Sequence, residues 1–105
     1  MDQNWLNNKT VIVTGASSGM GKGITEKLIK EHGCTVLGVA RSQQKMEALV
    51  EELGEYADKF SYQLFDVSDR TNWDNYLAYL QENNIQPDVL INNAGILPKF
   101  DKFQH

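Results

Sequence analysis

Between Thr14 and Gly23 the chain reads Thr-Gly-Ala-Ser-Ser-Gly-Met-Gly-Lys-Gly, directly after the apolar run Val11, Ile12 and Val13. Glycines at Gly15, Gly19 and Gly21 permit a sharp bend, leave room for an anion where a Cβ would obstruct it, and let a helix lie close to a strand. A helix starting there turns unpaired amides and the positive end of its dipole toward the ligand, so a phosphate or pyrophosphate is the guest these residues suit. Ser17 and Ser18 add hydroxyls to the same turn. The spacing is G-x-x-x-G-x-G, unlike the commoner G-x-G-x-x-G, but the strand-turn-helix context is the one such motifs require. Gly21-Lys22 also suggests a P-loop, which would need Ser or Thr next and a glycine five residues upstream; Gly23 and Ala16 occupy those places. The bland alternative is a glycine-rich turn that holds nothing.

The elements that must position this turn follow from hydrophobic pattern. Ile24, Leu28 and Ile29 recur at helical spacing and Gly33 follows, so a first helix is expected from Gly19 to His32. Cys34 to Ala40 is apolar without alternation, as in a strand buried on both faces of a parallel sheet. Ser42 suits an N-cap, and Met46, Leu49, Val50 and Leu53 form one stripe of core before Gly54. Phe60 to Phe65 reads as a third strand near a sheet edge, with Ser68 or Asp69 capping a third helix whose apolar positions are Trp73, Tyr76, Leu77 and Leu80. Val89 to Ile91 makes a fourth strand, and Pro87 and Pro98 fall outside the elements. The alternation β-α-β-α-β-α-β with short connections predicts an α/β fold, a parallel sheet with right-handed crossovers.

The 105 residues suit one domain, and the net charge of −4 with no Lys/Arg cluster argues against nucleic acid or an anionic membrane as partner. Met1 to Asn8 has neither a basic nor an apolar leader region, which points to the cytoplasm. The one cysteine, Cys34, heads an apolar run and reads as a small buried side chain. His32 reads as a helix-end surface residue.

Three segments, Thr14 to Gly21, Asp66-Val67 after the third strand and Asn92-Asn93-Ala94-Gly95 after the fourth, together resemble the short-chain dehydrogenase/reductases. The resemblance implies a Rossmann-type three-layer sheet of order 3-2-1-4, with residues 1–105 forming one partial NAD(P)-binding domain that stops after the fourth strand. It implies that Gly15, Ser17, Ser18, Gly19, Met20 and Gly21 line the ribose and pyrophosphate. Asp66 would contact the adenine amino group with Val67 beside the ring, and Asn93, Ala94 and Gly95 would approach the nicotinamide-side ribose. Asp66 would serve equally as an acidic cap of the third helix, and the asparagines as turn residues. At the end of the second strand, where a carboxylate would bond the 2′-hydroxyl of NAD, stand Arg41 and Ser42. A guanidinium pairs with a 2′-phosphate, so NADP(H) is favoured over NAD(H) as the cofactor; an exposed arginine without a role is the alternative.

The family's proton-donating Tyr-x-x-x-Lys pair and its upstream serine follow the Asn-Asn-Ala-Gly segment, and none is found here. The four tyrosines, Tyr56, Tyr62, Tyr76 and Tyr79, are followed four residues later by Phe60, Asp66, Leu80 and Asn83, and after Gly95 the chain has neither serine nor tyrosine. His105 has nothing to orient it. No catalytic residue and no metal-ligand cluster is assigned. The leading expectation is therefore the cofactor-binding portion of an NADP(H)-dependent alcohol dehydrogenase or carbonyl reductase acting on a small-molecule carbonyl or alcohol. A free-standing nucleotide-binding or interaction protein and a chain cut short are the rivals. An open fourth strand beside a thinly covered face predicts self-association, as in a homo-oligomer, or pairing with a further segment.

Overall fold

Four parallel strands, β1 (Thr10–Thr14), β2 (Thr35–Ala40), β3 (Phe60–Leu64) and β4 (Val89–Asn92), form one sheet in the order β3-β2-β1-β4. This computed structural model describes residues 4–95, and Pro98 and His105 lie outside the described residues. Three helices connect the strands: α1 (Gly19–His32), α2 (Gln43–Leu53) and α3 (Arg70–Glu82). The period of two along a strand sends alternate side chains to opposite faces. Val11, Val13 and Val36 therefore pack with Leu28 and Ile29 of α1 and Met46, Leu49 and Leu53 of α2. Ile12, Leu37 and Val39 pack on the other face with Trp73, Tyr76 and Leu80 of α3. Two helices cover one face and one covers the other. Trp73 is fully buried, a burial worth on the order of 3 kcal/mol.

Several boundaries differ from expectation for local reasons. β2 begins at Thr35, because the Cys34 amide donates to Leu28 O at 3.1 Å and still belongs to the end of α1, past Gly33 at φ 65°. β3 ends at Leu64, where Phe65 turns its ring onto Trp73 in an edge contact at 5.2 Å. β4 runs on to Asn92. Two short 3-10 helices, Asn4–Leu6 and Gly54–Lys59, had no periodic signal to announce them. The first puts Leu6 against the core and its carbonyl in reach of the buried Cys34 thiol, which donates to it at 3.1 Å. His32 closes α1 and shares a hydrogen bond with Asn7 at 3.1 Å. Among the described residues β4 pairs only with β1, and Val89, Leu90 and Ile91 are only half-buried. No described helix is long and apolar enough to cross a membrane.

Candidate functional site

Each motif residue lies where a strand ends. The register sets Thr14 opposite Val39 and Asn92, and Ala40 opposite Leu64, so Gly15, Arg41, Asp66 and Asn93 leave the sheet along one carboxyl edge. Strands lie about 4.8 Å apart, which makes the row from β3 to β4 about 14 Å long. In doubly wound sheets ligands bind outside this edge, around the point where strand order reverses, here between β1 and β4.

The glycine turn divides its labour. Gly15 takes φ 64°, a conformation open mainly to glycine, and its carbonyl accepts from Ser18 N at 3.3 Å, Ser18 Oγ at 3.2 Å and Asn93 Nδ2 at 3.2 Å. Gly21 is buried in the first turn of α1; a Cβ there would collide with Gly15 O and stand 2.7 Å from Asn93 Nδ2. Close packing, not backbone freedom, requires glycine at 21. Ser18 is the N-cap residue of α1, yet its hydroxyl faces Gly15 and caps no helix amide. The first-turn amides of Gly19, Met20 and Gly21 thus keep the orphan character that suits an anion. Met20 is 74% exposed, an apolar surface beside that anion position. Lys22 turns away to Glu52 on α2 at 2.6 Å, unlike a P-loop lysine.

A second group fastens the segment after β4 to this turn. The Thr14 hydroxyl donates to Asn92 Oδ1 at 3.0 Å and accepts from Ala94 N at 3.0 Å, while Gly95 N donates to Asn92 Oδ1 at 3.1 Å. Asn93, Ala94 and Gly95 are thereby fixed beside Gly15. Thr14 and Asn92 join the site through the β1–β4 register, a signal that sequence does not display.

At the other end of the row, Asp66 is exposed, and its Oδ1 accepts from Ser68 N at 2.9 Å and Ser68 Oγ at 2.7 Å. These bonds, the hydroxyl's first, hold the carboxyl below its ordinary value against an opposing desolvation, and the charge of Arg41 adds a lesser share. Arg41 therefore stands within electrostatic reach of Asp66, a neighbour that the end of the second strand read alone does not reveal. Ser42 Oγ caps α2 by accepting from Lys45 N at 3.2 Å. Val67 packs against the α3 face of the core, and its carbonyl accepts from Trp73 Nε1 at 2.7 Å. Asp69, not Ser68, caps α3, accepting from Thr71 N at 2.9 Å.

None of the tyrosines stands in this row. Tyr62 lies within β3, Tyr56 in the second 3-10 helix, and Tyr76 and Tyr79 on α3, where burial pushes the Tyr76 phenol far above its usual value. A surface depression of about 630 Å³, lined by Leu77, Leu80, Ile85 and Pro87, lies before β4 at the opposite end of the strand from Asn93.

A family model described as short chain dehydrogenase matches residues 9–105. Among curated proteins, the benzil reductase ((S)-benzoin forming) of Saccharomyces cerevisiae is 34% identical over 90 residues, covering 85% of this chain and 34% of its own length. The NADPH-dependent pterin aldehyde reductase of Arabidopsis thaliana is 35% identical over 94 residues, 90% of this chain and 38% of that protein. The crystal structure of a short chain dehydrogenase from Bacillus anthracis superposes with a TM-score of 0.74 at 32% identity, covering 84% of this chain and 35% of the other. The chain spans about a third of the length of the curated relatives it matches, 34% and 38% for the two named.

Proposed function

The chain belongs to the short-chain dehydrogenase family, and on that premise we propose that it carries the cofactor-binding half of an NADP(H)-dependent oxidoreductase of the alcohol dehydrogenase or carbonyl reductase type. The observation behind this reading is the meeting, on one sheet edge, of a glycine turn packed so closely that a Cβ at Gly21 would collide with Gly15 O, a helix start without a side-chain cap, and an oriented carboxylate. A nicotinamide dinucleotide, when bound, supplies the hydride chemistry. Gly15, Ser17, Ser18, Gly19, Met20 and Gly21 would hold the pyrophosphate and its ribose, Asp66 and Val67 the adenine, and Asn93, Ala94 and Gly95 the nicotinamide-side ribose. The substrate is a small-molecule carbonyl or alcohol, and its proton donor and pocket come from sequence outside this chain.

Arg41 and Ser42 favour NADP(H), since a guanidinium forms charge-assisted bonds with a 2′-phosphate and no carboxylate ends β2 to repel it. The Arabidopsis relative, with NADPH in its name, agrees with that choice. A charge-assisted bond of about 1.5 to 3 kcal/mol implies that Arg41→Ala weakens NADPH binding roughly ten- to a hundredfold and leaves NADH unchanged. Calorimetry with both cofactors, on protein made from its full coding sequence, tests this. Equal losses for the two would remove the NADP(H) assignment, and binding of neither cofactor by the unaltered protein would remove the function.

A further inference from the structure

We infer that Ser68 is a positioning residue for adenine recognition, its hydroxyl holding one oxygen of the Asp66 carboxylate so that the other is presented to the exocyclic amino group of the base. This rests on the function proposed above. Two residues in this loop could have capped α3, and the structure assigns the work to Asp69, whose side chain accepts from Thr71 N. The Ser68 hydroxyl is thereby released from the helix and spent on Asp66 Oδ1 at 2.7 Å, on the same oxygen that takes the Ser68 amide at 2.9 Å. Asp66 Oδ1 is thus doubly engaged, while no described residue bonds Oδ2 on this exposed side chain. An ionised carboxylate is acceptor-only, so what Oδ2 can recognise is a donor such as an aromatic amine.

The backbone beneath this carboxylate is fixed without help from the Ser68 hydroxyl. Asp66 O accepts from Asp69 N at 3.2 Å and from Asn72 Nδ2 at 3.2 Å, and Val67 O accepts from the indole of the fully buried Trp73. Removing the hydroxyl should therefore leave the loop in place and leave Oδ1 held by the Ser68 amide alone, which loosens the carboxylate's aim. A residue needed only for the loop would affect every ligand alike. A residue that aims Oδ2 affects only ligands that donate to it.

The experiment uses protein from the full coding sequence and two ligands, NADPH and its analogue with hydrogen in place of the adenine amino group, titrated by calorimetry. The unaltered protein should prefer NADPH to the analogue. Ser68→Ala should weaken NADPH about three- to tenfold, part of what one bond to a charged group is worth, and leave the analogue unchanged, with Ser68→Thr restoring the preference. Equal weakening of both ligands, or no change in their ratio, overturns the inference and leaves the function standing, as does an unaltered protein that binds both alike. If the unaltered protein binds no NADPH, the function falls and this inference with it.

Discussion

Asp66 keeps its charge under conditions in which an ordinary carboxylate starts to lose it. The cause is chiefly the Ser68 hydroxyl, then the Ser68 amide, with the positive Arg41 across the β2–β3 end assisting. A carboxyl whose folded value lies below its unfolded one contributes stability that is complete above the unfolded value. That contribution is lost as pH falls through the lower, folded value. The Asp66–Ser68 turn should accordingly persist from neutral pH down through the ordinary aspartate value of 3.8 and open only below it. A carboxyl-carbon NMR titration reads this directly. A midpoint for Asp66 at or above 3.8 would contradict the bonding described, and in Ser68→Ala the midpoint should rise toward that value.

Helix α1 shows how one residue type does unlike jobs within a single element. At Gly21 a Cβ would collide with Gly15 O, whereas at Gly23, exposed two residues on, nothing lies within 4 Å of one. Gly21→Ala should destabilise by about 1 to 2 kcal/mol, since overpacking outweighs the helical gain of alanine, and should weaken NADPH binding by moving the helix start. Gly23→Ala should instead stabilise by roughly 0.5 to 1 kcal/mol and spare binding. Thermal unfolding of both variants decides it, and a destabilised Gly23→Ala would mean that another part of the protein rests on that face. Helices of this kind are legible in sequence because their signals are local: α1 ends at His32 as read, since Gly33 follows in the left-handed conformation. The motif residues were legible for a related reason, each standing at or just past the end of a strand. What escaped the reading depends on pairing between distant segments. Thr14 meets Asn92 only through the β1–β4 register, and Arg41 comes within electrostatic reach of Asp66 only because Ala40 pairs with Leu64. The 3-10 turn Asn4–Leu6 is held by the core through Leu6 and by the Cys34 thiol, neither of which leaves a periodic trace.

At the scale of the whole molecule, binding and chemistry separate. On the function proposed above the row along the carboxyl edge holds a dinucleotide, but a hydride leaving a nicotinamide generates alkoxide character on the substrate oxygen, and a group must protonate or stabilise it. Tyr76 is buried with its phenol shifted upward, Tyr62 lies within a strand, and no tyrosine in the chain is followed four residues on by lysine. Residues 1–105 alone should therefore show no protein-dependent NADPH oxidation with a panel of aldehydes, ketones and quinones, while protein from the full coding sequence should. Loss of general acid catalysis alone costs roughly 10² to 10⁴ in rate, before lost substrate positioning is counted. The same isolated chain exposes β4, whose Val89, Leu90 and Ile91 are half-buried beside the single partner β1 among the described residues. An unpaired parallel strand of this composition is a template for another chain, so the isolated 105 residues should sediment as associated species at micromolar concentration. A sharp monomeric boundary with cooperative unfolding would favour a free-standing binding module over the enzyme reading. Measurable turnover by the 105 residues would overturn the separation itself, since the proton donor would then lie within this chain, in a role that neither its tyrosines nor its strand-end residues suggest.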